Sequence, residues 1–575
     1  MNLKFQKTLR YLVLAFIAIQ PLVDMDYLFY DFLDSMGLPR LSTVLRFVVL
    51  PLLVLLVFWT CDKKKKKTFF ITALYGIAVL VYYYLHSKQA VMLFDRLDFT
   101  DNFYFSYFQE LTYILTLVLP YAIIYMAYQE DITMKELKWI TILESALISI
   151  TIVFGDLYVC ARSTYYGNTV GNVFSWFTNI YEWYHPRTLA SKFFFNEGNT
   201  IGILLFMLLP VLYYFLFRSE KKKEQNWLLG LIFLHSLAMQ MLATRVATYG
   251  ALLVPIVFLC IYYFDCIKNK KEIHKIELIP SIFAILIVGG LILIQRLKNQ
   301  AILDTLVWVL LVLALLVMMA WLLIQAMNKS TNYTKRILFT VFFAILFSGI
   351  LDRTPAIQNQ KVDAKNDVAL LHNGMADLGR EELKNAEDLI PGSPEYINFY
   401  VYMFETYGIN ARYIQSVPSM YYTEYYSYQH DPKFWTDVCF MDVFDRVSGR
   451  QIETIFFNYK YKSLTPQEKI LGMGYSPFMN GSIVLEQDFK QQVYTLGYLG
   501  FVLCVAPWLL VVIYGVYKIL RHYKRFLNME IMVLAFALAS GLGSAWLSGH
   551  VLDQFVTSTY MALLTAILLR KVNAE

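Results

Sequence analysis

Long apolar runs recur from one end of this chain to the other and restrict its fold more than any other feature. A helix that crosses the hydrocarbon core of a bilayer needs about 20 mostly apolar residues, and about fourteen such runs can be placed. They lie near residues 11–30, 44–61, 68–86, 110–128, 138–158, 199–217, 227–244, 247–265, 277–295, 302–327, 335–351, 493–519, 530–548 and 551–569. Of the 575 residues, 58% are hydrophobic and only 16% are charged, which is unusual for a water-soluble chain. The sequence therefore predicts an all-α polytopic membrane protein with about fourteen transmembrane helices.

Lysine and arginine are concentrated in alternate connections between these runs. The clusters lie at residues 63–67, 218–223, 268–275, 329–336 and 521–525. Basic residues accumulate in cytoplasmic loops, so we expect both termini to be cytoplasmic. The N-terminal sequence MNLKFQKTLR precedes the first run without a cleavage pattern of small residues, which indicates a first membrane helix rather than a signal peptide. The net charge of +6 comes from these short clusters, so the expected partner is the lipid bilayer and not nucleic acid.

The longest gap between apolar runs, residues 352–492, is large enough to form a domain. It is rich in charge and tyrosine, and it contains the sequence MYYTEYYSYQH at 420–430. We expect a folded, largely helical extracytoplasmic loop domain between the eleventh and twelfth helices. Residues 1–351 would hold the first eleven helices, and residues 493–575 the last three with a short cytoplasmic tail. The aromatic stretch fits either a sugar-stacking surface or a belt at the membrane interface.

Charged residues near membrane depth are the first candidates for function. Arg245, in MLATRVATYGALL, lies at the outer end of the seventh run, where a guanidinium suits a bidentate grip on phosphate. A snorkelling arginine that anchors a helix end is the alternative. In the large loop, Arg450 could contact an anionic lipid headgroup, as could Arg446, Lys460 and Lys462. Solvated surface charge is the alternative there, and we favour it for the two lysines.

Two carboxylates, Glu486 and Asp488, directly precede the twelfth run. A carboxylate at that place could act as a general base on a hydroxyl group, and a charged helix start favoured by the helix dipole is the alternative. Two residues apart on a helix they would diverge by about 200°, so only one would point into a given pocket. His550, in the turn SGHVL between the last two runs, could orient a carboxylate or contact a phosphate, or it could be incidental.

Two further residues are candidates, and the common motifs for metals and nucleotides are missing from the sequence. Asn199 stands at the start of the sixth run, where N-capping is a sufficient explanation, and Tyr475 follows a glycine-rich turn in the large loop. The six cysteines show no CxxC or Cys/His spacing, so no zinc site is indicated, and a pairing of Cys160 with Cys439 is left open. Walker, HExxH and GxSxG motifs do not occur, and no acidic pair is placed for a metal ion.

A series of short motifs, taken in order, resembles the O-antigen ligase and Wzy-type O-antigen polymerase family, in the form found in Gram-positive surface-polysaccharide loci. The motifs span nearly the whole chain. They are QPLVD at 20–24, FFFNEGNTIGI at 193–203, ATRVATYGALL at 243–253, VSGRQ at 447–451, KILGMGY at 469–475, EQDFKQQVYTLGYLG at 486–500 and SGHVL at 548–552.

This resemblance implies a GT-C-like membrane glycosyltransferase of the bacterial cytoplasmic membrane that uses no metal ion or other cofactor. Its donor would be a glycan carried on undecaprenyl pyrophosphate. The glycan would be transferred, with inversion, to a hydroxyl of a glycan or wall-polymer acceptor outside the membrane. Other polysaccharide-assembly membrane proteins would be possible partners.

The resemblance also implies roles for individual residues. Arg245 and Arg450 would neutralise the departing pyrophosphate. Glu486 would take the proton from the acceptor hydroxyl, and Asp488 or His550 would orient or tune it. Two departures from the family pattern concern the same site: Val246 follows the membrane arginine where a small residue is usual, and Glu486 stands where better-known ligases carry a histidine.

Polymerase is favoured over ligase, because in a single-membrane envelope the final attachment generally looks like the work of other families. A polysaccharide flippase or exporter is the alternative, since about fourteen helices is also a usual size for such carriers. The domain-sized outward loop and the lack of an internal repeat argue against a carrier. A third hypothesis is a scaffold protein of an envelope complex.

Overall fold

The computed structural model of the protein describes residues 3–573 apart from several gaps. The gaps are residues 61–62, 159, 165–166, 172–181, 185–194, 196, 243, 272, 274, 295–299, 329–332, 353–374, 412–413, 415–416 and 447–448. The described chain is predominantly α-helical and divides into two compact units. The first unit comprises Met1–Phe70, Thr116–Ile357 and Trp508–Glu575, and the second comprises Ile71–Leu115 and Gln358–Pro507.

Long helices occupy most of the described residues before the large loop. These helices are α1 (Leu3–Ala18), α2 (Gln20–Val23), α3 (Tyr30–Ser35), α4 (Leu41–Val44), α5 (Leu50–Thr60), α6 (Lys63–Arg96), α7 (Tyr107–Gln129), α8 (Met134–Tyr158), α9 (Gly198–Arg218), α10 (Lys222–Leu242), α11 (Arg245–Lys268), α12 (Lys275–Ile294), α13 (Gln300–Asn328) and α14 (Tyr333–Asp352). A 3-10 helix, Asp24–Phe29, follows α2, and a π-helix, Leu45–Val49, joins α4 to α5.

Short helices dominate the large loop, and long helices return after it. These helices are α15 (Met375–Leu383), α16 (Pro394–Met403), α17 (Pro432–Phe440), α18 (Val443–Arg446), α19 (Gly449–Lys462), α20 (Glu468–Leu471), α21 (Ser476–Asn480), α22 (Asp488–Cys504), α23 (Ala506–Arg521), α24 (Tyr523–Phe526), α25 (Met529–Leu547) and α26 (Phe555–Asn573). The loop also contains a 3-10 helix and two π-helices: Lys384–Asp388, Phe404–Asn410 and Tyr421–Tyr425.

Ten of the described helices are long and apolar enough to cross a bilayer, and α22 with α23, bent by 42°, would be an eleventh. The runs near 11–30, 227–244 and 335–351 form helices but are not among the ten. The first run is interrupted: α1 ends at Ala18, and Pro21 lies at the start of α2. A proline inside a helix lacks an N–H donor and clashes with the preceding turn, which accounts for the break.

The distribution of apolar side chains in the first unit fits a lipid environment. The span Thr305–Gln325 within α13 has a mean hydropathy of 3.0, yet only 22% of it is buried. Leu316 and Leu323 on this helix are exposed. Exposed apolar patches of this size are rare on soluble proteins, whereas fully hydrogen-bonded apolar helices are what a bilayer accepts. The chain is therefore a multi-pass membrane protein.

Helix α9 forms the centre of the first unit. It is apolar on all sides, and 89% of its span is buried. Helices α10, α11 and α25 pack against it, and α8 and α26 also contact it. A helix without a polar face has to be surrounded by other helices, so the composition of α9 explains its position. Its first turn carries Asn199, one of the candidate residues.

The fold is predominantly α-helical, as expected, and the described residues also include one small sheet. A small antiparallel sheet lies between α8 and α9 and consists of β1 (Cys160–Thr164), β2 (Gly167–Gly171) and β3 (Glu182–Tyr184). The strand order is β1-β2-β3, with Cys160 opposite Gly171 and Val170 opposite Glu182. Threonine, valine and aromatic residues recur in this segment and favour strands over helices.

The second unit is built around aromatic side chains from two distant parts of the chain. Its core includes Phe404, Trp435, Phe456 and Phe478 from the large loop, together with Phe103 from the connection between α6 and α7. Edge-to-face and stacked aromatic rings contribute energy beyond their buried area. Described residues of the large loop therefore share one core with the chain that precedes α7. Cys439 is buried in this core as a free thiol, whereas the side chain of Cys160 lies outside the described residues.

Lys460 lies inside the aromatic core, so the prediction that it is a solvated surface charge is wrong. Only 4% of the residue is exposed. Its Nζ donates to the carbonyls of Leu97 and Asp98, at 2.7 and 3.0 Å, and to the hydroxyl of Tyr426 at 2.9 Å. Burial lowers the pKa of Lys460 to about 8, although nearby carboxylates oppose the shift. All three ammonium donors have acceptors, which is the condition for burying such a group.

A glycine-rich turn of the large loop pairs with a break in helix α22. Gly497 has a φ of 69°, which interrupts the helical hydrogen-bond ladder. The freed carbonyls of Tyr494 and Thr495 accept hydrogen bonds from the backbone amides of Met473 and Gly474, at 3.1 and 2.9 Å. The turn thereby replaces the hydrogen bonds that the broken helix lacks, and it fixes the residues on either side of it.

This contact predicts that Gly472→Ala is strongly destabilising. A Cβ at Gly472 would clash with the carbonyl oxygen of Thr495, and the backbone φ of 84° is strained for any side chain. We expect a loss of stability on the order of 3 kcal/mol, measured by thermal unfolding of the detergent-solubilised protein. Gly76→Ala is the control, because a Cβ there meets nothing within 4 Å. Equal melting temperatures for the two variants would contradict this packing.

Candidate active site

Helix α19 presents two charged residues of the second unit on one face. Arg450 and Glu453 are three residues apart, a spacing that places side chains side by side on a helix. Glu486 comes from the connection before α22 and meets Arg450 there. Arg446, in the preceding short helix, is buried and donates from Nε to the carbonyl of Met441 at 3.1 Å.

Arg450 and Glu486 form an ion pair that solvent can reach. The Nε of Arg450 donates to Oε2 of Glu486, and the two side chains are 40% and 32% exposed. The contact uses only one of the five N–H donors of the guanidinium, and Arg450 makes no other hydrogen bond with the described residues. Its terminal nitrogens therefore remain available for a second anion.

Glu453 lies behind this pair in a buried position. The residue is 8% exposed, and its Oε1 accepts a hydrogen bond from the hydroxyl of Tyr421 at 2.9 Å. Burial and the negative charge of Glu486 raise the pKa of Glu453 to about 7, against the opposing effects of Tyr421, Arg450 and the backbone amide of Glu486. The cluster thus contains one exposed carboxylate held by an arginine and one buried carboxyl that is easily protonated.

Asp488 begins helix α22 and is buried. The helix dipole favours a carboxylate at this position. Gln491 and Gln492 are buried one turn further on, and amide atoms of both side chains have no hydrogen-bond partner among the described residues. Glu486 itself precedes the helix, so the expectation that it shares a helix with Asp488 is wrong, because α22 starts two residues later.

Tyr475 is held in place by a buried carboxylate on α7. Oε1 of Glu110 accepts hydrogen bonds from the backbone amides of Tyr475 and Ser476, both at 2.6 Å. Oε2 of Glu110 lies 3.1 Å from Nε2 of His86, and the ring of Tyr475 stacks on Tyr113 with centroids 3.7 Å apart. These contacts fix the backbone and ring of Tyr475, and they account for its position without a ligand.

Arg245 and Asn199 lie at the starts of two helices of the first unit. Arg245 is the first residue of α11, is exposed, and makes no ion pair or hydrogen bond with any described residue. The side chain of Thr244 caps the helix by accepting from the amide of Ala247. A Cβ at Gly202 would lie 2.7 Å from Oγ1 of Thr244, so the beginnings of α9 and α11 are in close contact.

Asn199 does not cap helix α9, contrary to the sequence-based expectation. Glu197 occupies the N-cap position and makes no side-chain cap hydrogen bond, while Asn199 lies within the first turn and is half-buried. The helix begins one residue earlier than the apolar run suggested, because Gly198 is included. Helix capping therefore does not account for the side chain of Asn199, which lies near the contact between α9 and α11.

His550 lies in the turn between α25 and α26 with a φ of 58°. Its Nδ1 is 3.4 Å from Oδ2 of Asp553. The same turn leads to Gln554, which lines a cavity of about 10 Å³ together with Asp24 and Thr200. A cavity of this size has room for about one water molecule.

The two aspartates of the first apolar run are each paired with an arginine. Oδ1 of Asp24 accepts from Nη2 of Arg46 at 2.8 Å, and Oδ1 of Asp26 accepts from Nη2 of Arg40 at 2.5 Å. The backbone amide of Ser42 also donates to Asp26 at 2.7 Å. These pairs stabilise the interrupted helix, since buried charges need such partners.

The structure brings two of the predicted site residues into contact. Within the second unit it brings Arg450 and Glu486 into contact, with Asp488 two residues further along. Glu453 also belongs to this cluster and was not predicted from the sequence. Its spacing of three residues from Arg450 on the same helix could have indicated it. Tyr421 gave no comparable signal, because its contact with Glu453 bridges 32 residues of chain. Among the described residues, no group of three or more His, Cys, Asp or Glu side chains is placed to hold a metal ion.

A family model matches this chain. It is described as O-antigen ligase like membrane protein, and it matches residues 6–301 and 300–575. The two matches together extend over nearly the full length of the sequence. No curated protein and no solved structure gives a match.

The buried carboxyl predicts a pH-dependent stability. The pKa of Glu453 rises from an ordinary 4.5 to about 7, so its stabilising contribution is present below pH 4.5 and is lost as the pH rises through 7. We expect the melting temperature to fall less between pH 5 and pH 8 in Glu453→Gln than in the unchanged protein. The corresponding contribution of Glu453 to the free energy of unfolding is on the order of 1–3 kcal/mol. Glu395→Gln, at an exposed position of the same unit, is the control. An unchanged pH dependence in Glu453→Gln would contradict the assignment.

Proposed function

The chain belongs to the family of O-antigen ligase like membrane proteins, and on that premise we propose that it is a membrane glycosyltransferase of cell-surface polysaccharide assembly. The proposed reaction joins a glycan carried on undecaprenyl pyrophosphate to a hydroxyl group of a glycan or wall-polymer acceptor. The observation that carries the proposal is the solvent-accessible pair of Arg450 and Glu486. A cation for the leaving group and a carboxylate for the acceptor proton are the two groups that this reaction needs.

Arg450 is the proposed partner of the departing pyrophosphate. Its Nε is occupied by Glu486, while the terminal nitrogens have no partner among the described residues. The planar end of a guanidinium can bind two phosphate oxygens at once. Such a contact stabilises negative charge as it develops on the leaving group, which lowers the barrier.

Glu486 is the proposed general base. The acceptor hydroxyl would lose its proton to this carboxylate while its oxygen attacks the anomeric carbon. The bond from that carbon to the pyrophosphate oxygen would break, and the pyrophosphate would leave on its lipid. A single displacement of this kind inverts the configuration. Binding of the pyrophosphate to Arg450 would also weaken the hold of Arg450 on Glu486 and leave the carboxylate free to accept the proton.

Arg245 is proposed as a second cation for the pyrophosphate. It is exposed and has no described partner, and it stands at the N-terminus of α11, where the helix dipole also favours anions. Asp488 and His550 would orient or tune the base, as the family resemblance implies. Asn199 and Tyr475 stay candidates for contacts with the substrate, and we assign them no chemical step.

We further propose the finer features of this function. The protein would be a polymerase rather than a ligase, would need no metal ion, and would have a GT-C-like fold with about fourteen membrane helices. It would lie in the bacterial cytoplasmic membrane with both termini in the cytoplasm and its active site outside. The basic clusters at alternate connections support this orientation.

Arg245→Ala and Glu486→Gln should each abolish polymer while the protein stays in the membrane. Removing a leaving-group cation or a general base costs about 100-fold or more in rate. The measurement is the amount of surface polymer in cells that express each variant, with the variant quantified in the membrane fraction. Lys462→Ala is the matched control, because Lys462 is an exposed cation on the same helix as Arg450. Normal polymer from either variant would remove that residue from the mechanism.

A further inference from the structure

A groove of about 650 Å³ runs between α1 and α8 in the first unit. Nothing in the proposed reaction uses it. Its lining contains three cations, Lys7, Arg10 and Lys135, followed along both helices by apolar side chains. The apolar part is formed by Leu14, Ala15, Ala18, Trp139, Ile140 and Leu143. A groove of this volume is within the range of pockets that bury an organic ligand, about 300–1,000 Å³.

The beginnings of the two helices meet at the cationic part of the groove. Nη2 of Arg10 donates to Oε1 of Glu136 at 2.6 Å and to the carbonyl of Asp131 at 3.3 Å. This ion pair joins the first turns of α8 to α1, so the cations of both helices lie at one end. From Lys7 to Ala18 the groove follows α1 for roughly 16 Å, at 1.5 Å per residue.

The charge at this end of the groove is not balanced by the described protein. Arg10 and Glu136 neutralise each other, but the side chains of Lys7 and Lys135 are exposed and make no ion pair or hydrogen bond with any described residue. Two ammonium groups beside an apolar channel attract a ligand with an anionic head, since each lysine near an anionic lipid surface contributes about 1 kcal/mol.

The apolar part of the groove suits a hydrocarbon chain. Ala15 and Ala18 are small, which keeps the α1 side of the groove open. Trp139 is 64% exposed one turn beyond Lys135, and Leu143 follows on the same face. Tryptophan prefers the boundary between headgroups and hydrocarbon, so its place between the cations and the leucine matches the layers of a bilayer.

We propose that the groove binds one anionic glycerophospholipid. Its phosphate would lie at Lys7 and Lys135, and one acyl chain would follow the channel past Ala15 and Trp139. The bound lipid would hold α1 against α8 where the basic N-terminal segment meets the membrane surface. This site is independent of the proposed glycosyl transfer, because none of its residues takes part in that reaction.

The test compares lipids on the full-length protein in detergent. Phosphatidylglycerol, phosphatidylcholine and inorganic phosphate are added separately, and the melting temperature and the lipids retained in native mass spectrometry are measured. The variant is Lys7→Gln/Lys135→Gln, and Lys222→Gln/Lys223→Gln is the matched control, because these exposed lysines at the start of α10 do not line the groove. Ala15→Phe fills the apolar channel and leaves the cations in place.

Phosphatidylglycerol should raise the melting temperature more than phosphatidylcholine does, and inorganic phosphate should have no effect. Retention of phosphatidylglycerol should fall by roughly ten-fold or more in Lys7→Gln/Lys135→Gln and should be unchanged in the control. Ala15→Phe should also reduce it. Equal effects of the two lipids, stabilisation by inorganic phosphate, or full retention in Lys7→Gln/Lys135→Gln would overturn the proposal.

Discussion

A bilayer offers no hydrogen-bond partners to the backbone, and this constraint governs the architecture of the protein. Helices satisfy it within one segment, which is why nearly every apolar run is helical. Where a helix is interrupted, other parts of the protein supply the missing partners. The amides of Met473 and Gly474 replace the backbone hydrogen bonds lost at Gly497. After the break at Pro21, arginine side chains pair with the carboxylates of Asp24 and Asp26. The interruptions therefore place polar groups at defined positions.

The proposed chemistry depends on a difference in burial between neighbouring charges. Arg450 and Glu486 are partly exposed and can exchange partners with a substrate, whereas Glu453 is enclosed and tends to take up a proton. Lys460, ten residues beyond Arg450 in the sequence, is buried with all its donors satisfied and is structural. By residue type alone, Arg450 and Lys460 are both cations of the same helix. Their burial distinguishes them, because Arg450 is accessible to a substrate and Lys460 is part of the core.

The sequence predicts the positions of the ten described helices that are long and apolar enough to cross a bilayer, because apolar runs follow directly from the thickness of the bilayer. It names Arg450 and Glu486 as residues of one proposed site only through motifs that resemble one family, and their ion pair is seen only in the structure. It misses the roles of Lys460 and Glu453, because their partners, the carbonyls of Leu97 and Asp98 and the hydroxyl of Tyr421, come from distant parts of the chain. A local pattern carries no information about such contacts.

The most direct test of the proposed glycosyl transfer is the size of the saccharide carried on undecaprenyl pyrophosphate in cells that lack this gene. The lipid-linked saccharides are extracted and their sugar portion is sized against that from parental cells. The proposed polymerase predicts that single repeat units accumulate on the lipid, and a ligase would leave long chains there instead. Unchanged lipid-linked pools together with normal surface polymer would contradict a glycosyltransferase of either kind.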